Sequence, residues 1–188
     1  MKVGVVAIQG DFDQHLKALE NCSRGVEARP VKTPEQLAEV DRLIIPGGES
    51  TTVALLMQRF GLGQAIQDAA KDGMPIWGTC MGMIIMARSI ADRPNQWTLA
   101  LLDITIKRNA FGAQIHSFEE AIPMAGIGPD VTAVFIRAPI VLEAGPDVEI
   151  LSKYQDQIIA VRQNKLMGTS FHPELTGDAR IHEYFLSL

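Results

Sequence analysis

Between residues 2 and 86 the chain repeats one pattern, a short and mostly apolar run followed by an amphipathic stretch. The runs fall at 3–8, 28–31, 42–45 and 75–77. A strand wet on one face alternates apolar with polar residues, whereas a strand covered on both faces reads as nearly continuous Val, Ile and Leu. The repeat therefore predicts parallel strands with helices on both faces, an α/β fold.

The helix signals agree. Residues 12–22 follow Asp11 as N-cap. Thr33, Pro34 and Gln36 supply a cap, a first-turn proline and a capping-box partner for a short helix. Further helices are expected at 51–60, at 62–71, where Asp72 and Gly73 stop the run, and at 81–89. Beyond residue 100 the pattern turns strand-like, at 101–106, 114–122, 131–136, 148–154, 157–162 and 166–170, with a last helix at 178–186. The tight spacing around Gln155-Asp156 predicts an antiparallel hairpin, so the sheet should be mixed.

With 188 residues, 47% of them apolar and 21% charged, the chain can bury a core and fits one domain over 1–188. A net charge of −5 with no basic run argues against a nucleic-acid partner. The strongly apolar stretch 81–87 ends at Arg88, far below the roughly 18 residues that suggest a membrane span. Two cysteines, Cys22 and Cys80, cannot form a disulfide framework or a four-thiolate zinc site, and they fit a reducing, cytoplasmic setting.

The sharpest local motif is Gly78-Thr79-Cys80-Met81-Gly82, set between a predicted strand and a predicted helix. That is the context of a nucleophile elbow, with Cys80 at its apex and a helix N-terminus beneath it that favours a thiolate. Cys22, at the end of an amphipathic helix, has no such setting. A thiol nucleophile needs a base, and the base needs an orienting group. Phe171-His172-Pro173-Glu174 offers both, since residues two apart in an extended segment share a side. His15 and His182 on predicted helices, and His116 on a strand, read as surface or packing residues. Pro46-Gly47-Gly48-Glu49-Ser50-Thr51 is a glycine turn without the Lys of a phosphate loop. Its N–H groups, at Gly47 and Gly48, could form half of an oxyanion hole, with the Met81 N–H as the other half.

Taken in order, Pro46 to Thr52, Gly78-Thr79-Cys80, Arg108-Asn109-Ala110-Phe111-Gly112, Val134 to Pro139 and Ser170 to Thr176 give the chain a resemblance to the glutaminase subunits of pyridoxal 5′-phosphate synthase. These are class I glutamine amidotransferases. The resemblance covers almost the whole chain and implies a three-layer fold with a mixed, mostly parallel central sheet. It implies that Cys80 attacks the side-chain amide of L-glutamine, that His172 shuttles protons and that Glu174 orients His172. It implies a glutamine site of Gly48, Glu49, Ser50, Arg108, Ile136 and Arg137, no metal and no cofactor, and ammonia passed to a barrel-shaped synthase partner that makes pyridoxal 5′-phosphate. Arg137, among apolar neighbours, is expected as a charge embedded at a strand end. Met81, Ala113 and Ile140 depart from the family pattern, the last two expected on the partner-facing surface. An intact Cys80, His172 and Glu174 speaks against a non-catalytic binding member of the fold, and the Gly-Gly-Glu-Ser-Thr-Thr loop against a cysteine hydrolase or deglycase.

Overall fold

The structure is a computed structural model and describes residues 1–23, 25–110 and 117–188. Its first half is β1 (Lys2–Val6), α1 (Phe12–Glu20), β2 (Glu27–Val31), α2 (Pro34–Leu37), β3 (Arg42–Ile45), α3 (Ser50–Arg59), α4 (Leu62–Lys71), β4 (Ile76–Thr79) and α5 (Met81–Met86). Its second half is β5 (Ala87–Ile90), β6 (Leu102–Lys107), β7 (Phe118–Met124), β8 (Gly128–Phe135), β9 (Ile140–Ala144), β10 (Glu149–Tyr154), β11 (Gln157–Gln163), β12 (Leu166–Thr169), a 3₁₀ turn at Pro173–Leu175 and α6 (Arg180–Leu186).

The main sheet runs β2-β1-β3-β4-β12-β11-β9-β6-β5, with β10 added to β11. Strands β2, β1, β3, β4 and β12 pair in parallel, and the pairs around β11 and β9 are antiparallel. Strands β7 and β8 form a separate hairpin. Period-two alternation sorts the central strands between two cores. Leu43, Ile45 and Ile76 face the side packed by α3, α4 and α5, whereas Val3, Val5, Ile44 and Trp77 face α1, α6 and the β7–β8 hairpin. Because both faces are covered, the strands can be apolar throughout, which is the pattern the sequence displays.

Three expectations need correction, and a fourth falls partly outside the described residues. The helix expected at 81–89 stops at Met86, and Ala87–Ile90 become β5 along β6, since an apolar run that short fits a buried strand as well as a helix. β9 is not among the expected strands; its stretch after Pro139 is apolar but short, with Ile140 and Val141 buried and Leu142 exposed. Asp11 precedes α1, but its side chain makes no cap hydrogen bond. The strand expected at 114–122 is seen from Phe118, and 114–116, with Ala113 and His116, lie outside the described residues. The hairpin at Gln155-Asp156 is present, with positive φ at both residues as its twist demands.

Candidate active site

The site forms at the carboxyl ends of β3, β4 and β12, where open α/β sheets usually hold their ligands. Cys80 ends β4 and caps α5 with φ 50° and ψ −103°, a conformation costly for any residue with a side chain. Two features hold it there. The Cys80 N–H donates to the Thr169 carbonyl at 2.7 Å, tying the elbow to β12. A side chain at Gly78 would run into the backbone of Gly82 and Met83, and one at Gly82 into the Ile45 carbonyl, so only glycine lets α5 start directly over the sheet.

His172 leaves β12 with its N–H bonded to the Val134 carbonyl at 2.8 Å. Its Nδ1 lies 2.8 Å from Glu174 Oε1, and both residues are only 5% exposed. The pair meets as the sequence reading expects, but not through an extended segment. Pro173 starts a 3₁₀ turn that folds Glu174 back under the imidazole. With Nδ1 committed, the ring's other nitrogen is the one left to interact with Cys80. Burial alone would push the imidazolium down. The hydrogen bonds and charges of Cys80 and Glu174 outweigh it and carry His172 up to about 10. Burial pushes the Glu174 carboxyl up, but the nearby His15 and the His172 bond reverse this and hold it below the usual carboxylate range.

The turn after β3 closes the other side. Gly47 is pressed against the imidazole: a Cβ there would lie 2.5 Å from His172 Cε1. Gly48 neighbours Gln9, whose Oε1 accepts the Glu49 N–H at 2.8 Å. The Glu49 carboxylate turns away from the pocket to cap α3, accepting from the Thr51 N–H at 3.0 Å and the Thr52 N–H at 2.7 Å. Glu49 therefore lines the site through its backbone.

Gly48, Glu49, Ser50, Cys80, Met81, Arg108, Ile136 and Arg137 share one pocket of about 140 Å³. That is well below the roughly 300–1,000 Å³ of pockets that take drug-sized ligands, and suits a small metabolite. Larger hollows of about 600 Å³ beside α2 and beside Trp97 contain no cysteine or histidine. Ile136 presents its carbonyl to Cys80 Sγ at 3.9 Å. Arg108 is anchored by Asp92, through Nε at 3.1 Å and the backbone N–H at 3.0 Å, and its Nη1 reaches Ser50 Oγ at 3.5 Å. Arg137 is exposed, with φ 47°, so it is a solvated charge at the pocket mouth and not an embedded one. Ile140 is buried in β9 and is not a surface position. Met81 is buried as well, its Cε close to Gly48.

Sequence reasoning missed Asn109 and Ile84, which also line the pocket, and Gln9 and Asp92, which brace it. Gln9 was detectable as the first polar residue past an apolar parallel strand, but Asp92 carries no local signal. Asp11, His172 and Glu174 each bring one donor atom to within 4.8 Å of the others, the one such three-residue group among the described residues. The His172 nitrogens are already engaged, which disfavours a metal there. Cys22 hydrogen-bonds the Ala18 carbonyl at 3.5 Å, and burial followed by the charge of Glu183 pushes its thiol up to about 11, so it is no nucleophile. No helix among the described residues is long and apolar enough to cross a membrane.

Comparison with known proteins points to one group. The profile of the SNO glutamine amidotransferase family matches residues 5–188. The pyridoxal 5′-phosphate synthase subunit PdxT of Herpetosiphon aurantiacus is 53% identical over the full length of both chains. The PdxT subunit of Dehalococcoides mccartyi strain 195 is 49% identical over all of this chain and 97% of its own. A crystal structure described as glutamine amidotransferase superposes with a TM-score of 0.93 at 43% identity, covering 98% of this chain and 97% of that one. PurLQS from Thermotoga maritima, at 19% identity and a TM-score of 0.70 over 99% and 97% of the two chains, shares the fold.

Proposed function

The chain belongs to the SNO glutamine amidotransferase family, and from that premise we propose that it hydrolyses L-glutamine with Cys80, His172 and Glu174 and delivers the ammonia to the synthase subunit that makes pyridoxal 5′-phosphate. The observation that carries the reading is a cysteine at a strained elbow facing an imidazole whose far nitrogen is held by a buried carboxylate.

In the first half-reaction Cys80 Sγ attacks the side-chain amide carbon, and the carbonyl oxygen becomes an oxyanion. The Met81 N–H, free of a helical partner in the first turn of α5, and the N–H groups of the Gly47-Gly48 turn are the donors for it. Collapse breaks the C–N bond, and the His172 imidazolium protonates the leaving nitrogen, giving ammonia and a thioester. With His172 raised to about 10, that proton is in place throughout neutral pH. The neutral imidazole then takes a proton from water. The hydroxide equivalent adds to the thioester, and a second collapse expels the Cys80 sulfur, releases glutamate and returns Cys80 and His172 to their starting state. Glu174 stabilises the imidazolium at every stage without itself taking up the proton. Arg108, held by Asp92, and Arg137 at the mouth are the cations for the α-carboxylate of glutamine, with backbone groups of Gly48, Glu49, Ser50 and Ile136 completing the pocket.

Free ammonia is useless without a receiving site, so the isolated chain is expected to turn over slowly and the synthase to accelerate it. A Gly-Gly peptide reorients with little steric cost, and a missing oxyanion donor is worth about 3 kcal/mol, or about a hundredfold in rate. Glutamate formation by the purified chain, with and without saturating synthase, tests both parts. No glutamate under either condition refutes the glutaminase, and an equal rate in both refutes the switch.

A further inference from the structure

Behind the triad lies a buried polar chain that the reaction as described does not use. Glu174 spends Oε1 on His172. Its other oxygen, Oε2, is sealed from solvent and accepts no hydrogen bond, yet it stands 3.3 Å from His15 Nε2. The same nitrogen is 3.1 Å from Thr79 Oγ1, so one imidazole edge is shared between a hydroxyl and a carboxylate oxygen. On the opposite edge, His15 Nδ1 meets His182 Nε2 at 3.2 Å. His15, His182 and Thr79 are all fully buried, and both imidazoles pack edge-on against Trp77.

The protons in this chain can be assigned. An ionised carboxylate only accepts, so the His15 nitrogen beside it has to carry the hydrogen. His15 Nδ1 is then a lone pair, and His182 Nε2–H donates to it. That leaves His182 Nδ1 without a proton, consistent with its having no partner. Burial drives both imidazoles down, His182 to about 3, which favours the neutral ring in each. The charged and titratable groups facing His15 are Glu174, His172, Asp11 and His182.

We propose that His15, backed by His182, is a positioning residue of the active site, whose Nε2–H, bonded to Thr79 and 3.3 Å from the second oxygen of Glu174, is the polar edge that keeps the carboxylate ionised and aimed at His172. A buried charge with one oxygen bare is expensive, and the alternatives open to Glu174 are to rotate or to take up a proton. Either would loosen His172 and leave Cys80 a poorer nucleophile. Sequence position gives α1 this role: it follows directly on the Gln9–Asp11 turn and packs against the Pro173–Leu175 turn.

The inference rests on the glutaminase reading, so its test uses a readout that does not need glutamine. In full-length protein carrying Cys22→Ser, the rate at which iodoacetamide alkylates Cys80 near neutral pH reports its nucleophilicity. Two polar replacements separate position from polarity. His15→Gln can place an N–H where Nε2 stood, whereas His15→Asn keeps a polar group only near Nδ1. We expect His15→Asn to slow alkylation and kcat about tenfold with KM for glutamine unchanged, and His15→Gln to stay within about threefold of the parent. Asn and Gln variants equally slow at unequal melting points, or an Asn variant as fast as the parent, overturn the proposal. Should His15→Asn fail to fold, His182→Phe, which removes the backing donor from a distance, has to slow alkylation too, and an unchanged rate overturns the proposal equally. A parent protein that alkylates quickly but releases no glutamate refutes the glutaminase reading and leaves the alkylation comparison to judge His15.

Discussion

Gly47→Ala should act on chemistry almost alone. The new methyl would stand 2.5 Å from His172 Cε1 and 3.2 Å from Nδ1, so the ring has to retreat by about 0.9 Å to reach ordinary contact at 3.4 Å. It cannot turn away freely, because Nδ1 is held by Glu174 at 2.8 Å and Pro173 stiffens the turn between them. A misplacement of about 1 Å in a catalytic group costs on the order of a hundredfold, or about 2.7 kcal/mol of barrier. Apart from the oxyanion donors, which act on the transition state, Gly47 makes no contact assigned to glutamine binding, so KM for glutamine should hold while kcat falls. The overpacking itself costs about 1–3 kcal/mol of stability, which lowers the melting point by about 2–12 °C in a chain of this size. Steady-state glutamate formation in the presence of synthase, with melting points for the same samples, checks both. Gly177→Ala is the control, as nothing lies within 4 Å of its added methyl. A Gly47→Ala enzyme within about threefold of wild type in kcat would refute the reasoning, because it would mean the imidazole is not confined from this side.

Cys80→Ala and His172→Asn should each abolish glutamate formation with little further loss when combined, whereas Glu174→Gln, which can still hold the ring but stabilises the imidazolium poorly, should retain measurable turnover. Arg137→Ala should raise KM or weaken activation by the synthase and leave the melting point unchanged, since the side chain is exposed and forms no ion pair among the described residues; a melting-point drop that accounts for the activity loss would make it structural. Glu49 is raised by desolvation but lowered more strongly by the Thr51 and Thr52 hydrogen bonds, to about 2, so its folded value lies below its unfolded one. The stabilisation it gives is complete above the ordinary carboxylate range and lost as pH falls toward 2. Glu49→Gln should thus cost about 1 kcal/mol near neutral pH, after allowance for its exposure, and progressively less in acid, read from urea midpoints across that range.

What the sequence made legible follows the distance over which each feature is encoded. The parallel half of the sheet could be read because burial on both faces forces apolar residues onto 42–45 and 75–77 wherever the strands end up. The elbow could be read because Gly78 and Gly82 are needed within two residues of Cys80. The 3₁₀ turn under His172 reads as extended in sequence because Pro173 allows both, and the difference lies in packing against α1, far away in the chain. His15 and His182 read in sequence as surface or packing residues because the contact that joins them spans 167 positions.

The backbone of the site shows the same division from another side. Three residues with positive φ, Cys80 at 50°, Asn109 at 48° and Arg137 at 47°, line one pocket, although none is a glycine and each costs on the order of 1 kcal/mol or more. Such conformations persist only where the surroundings over-determine them. Cys80 is held by the Thr169 carbonyl, and the loops bearing Asn109 and Arg137 are clasped to each other by the Ala110 N–H to Ala138 carbonyl bond at 3.1 Å. The strain at Cys80 is announced locally, by glycines that clear space for it. At Asn109 and Arg137 it is imposed by a bond between loops after β6 and β8, which the chain order alone does not bring together. The pocket is therefore as rigid as that clasp, and a contact that orders or releases these two loops would act on the pocket wall without touching Cys80.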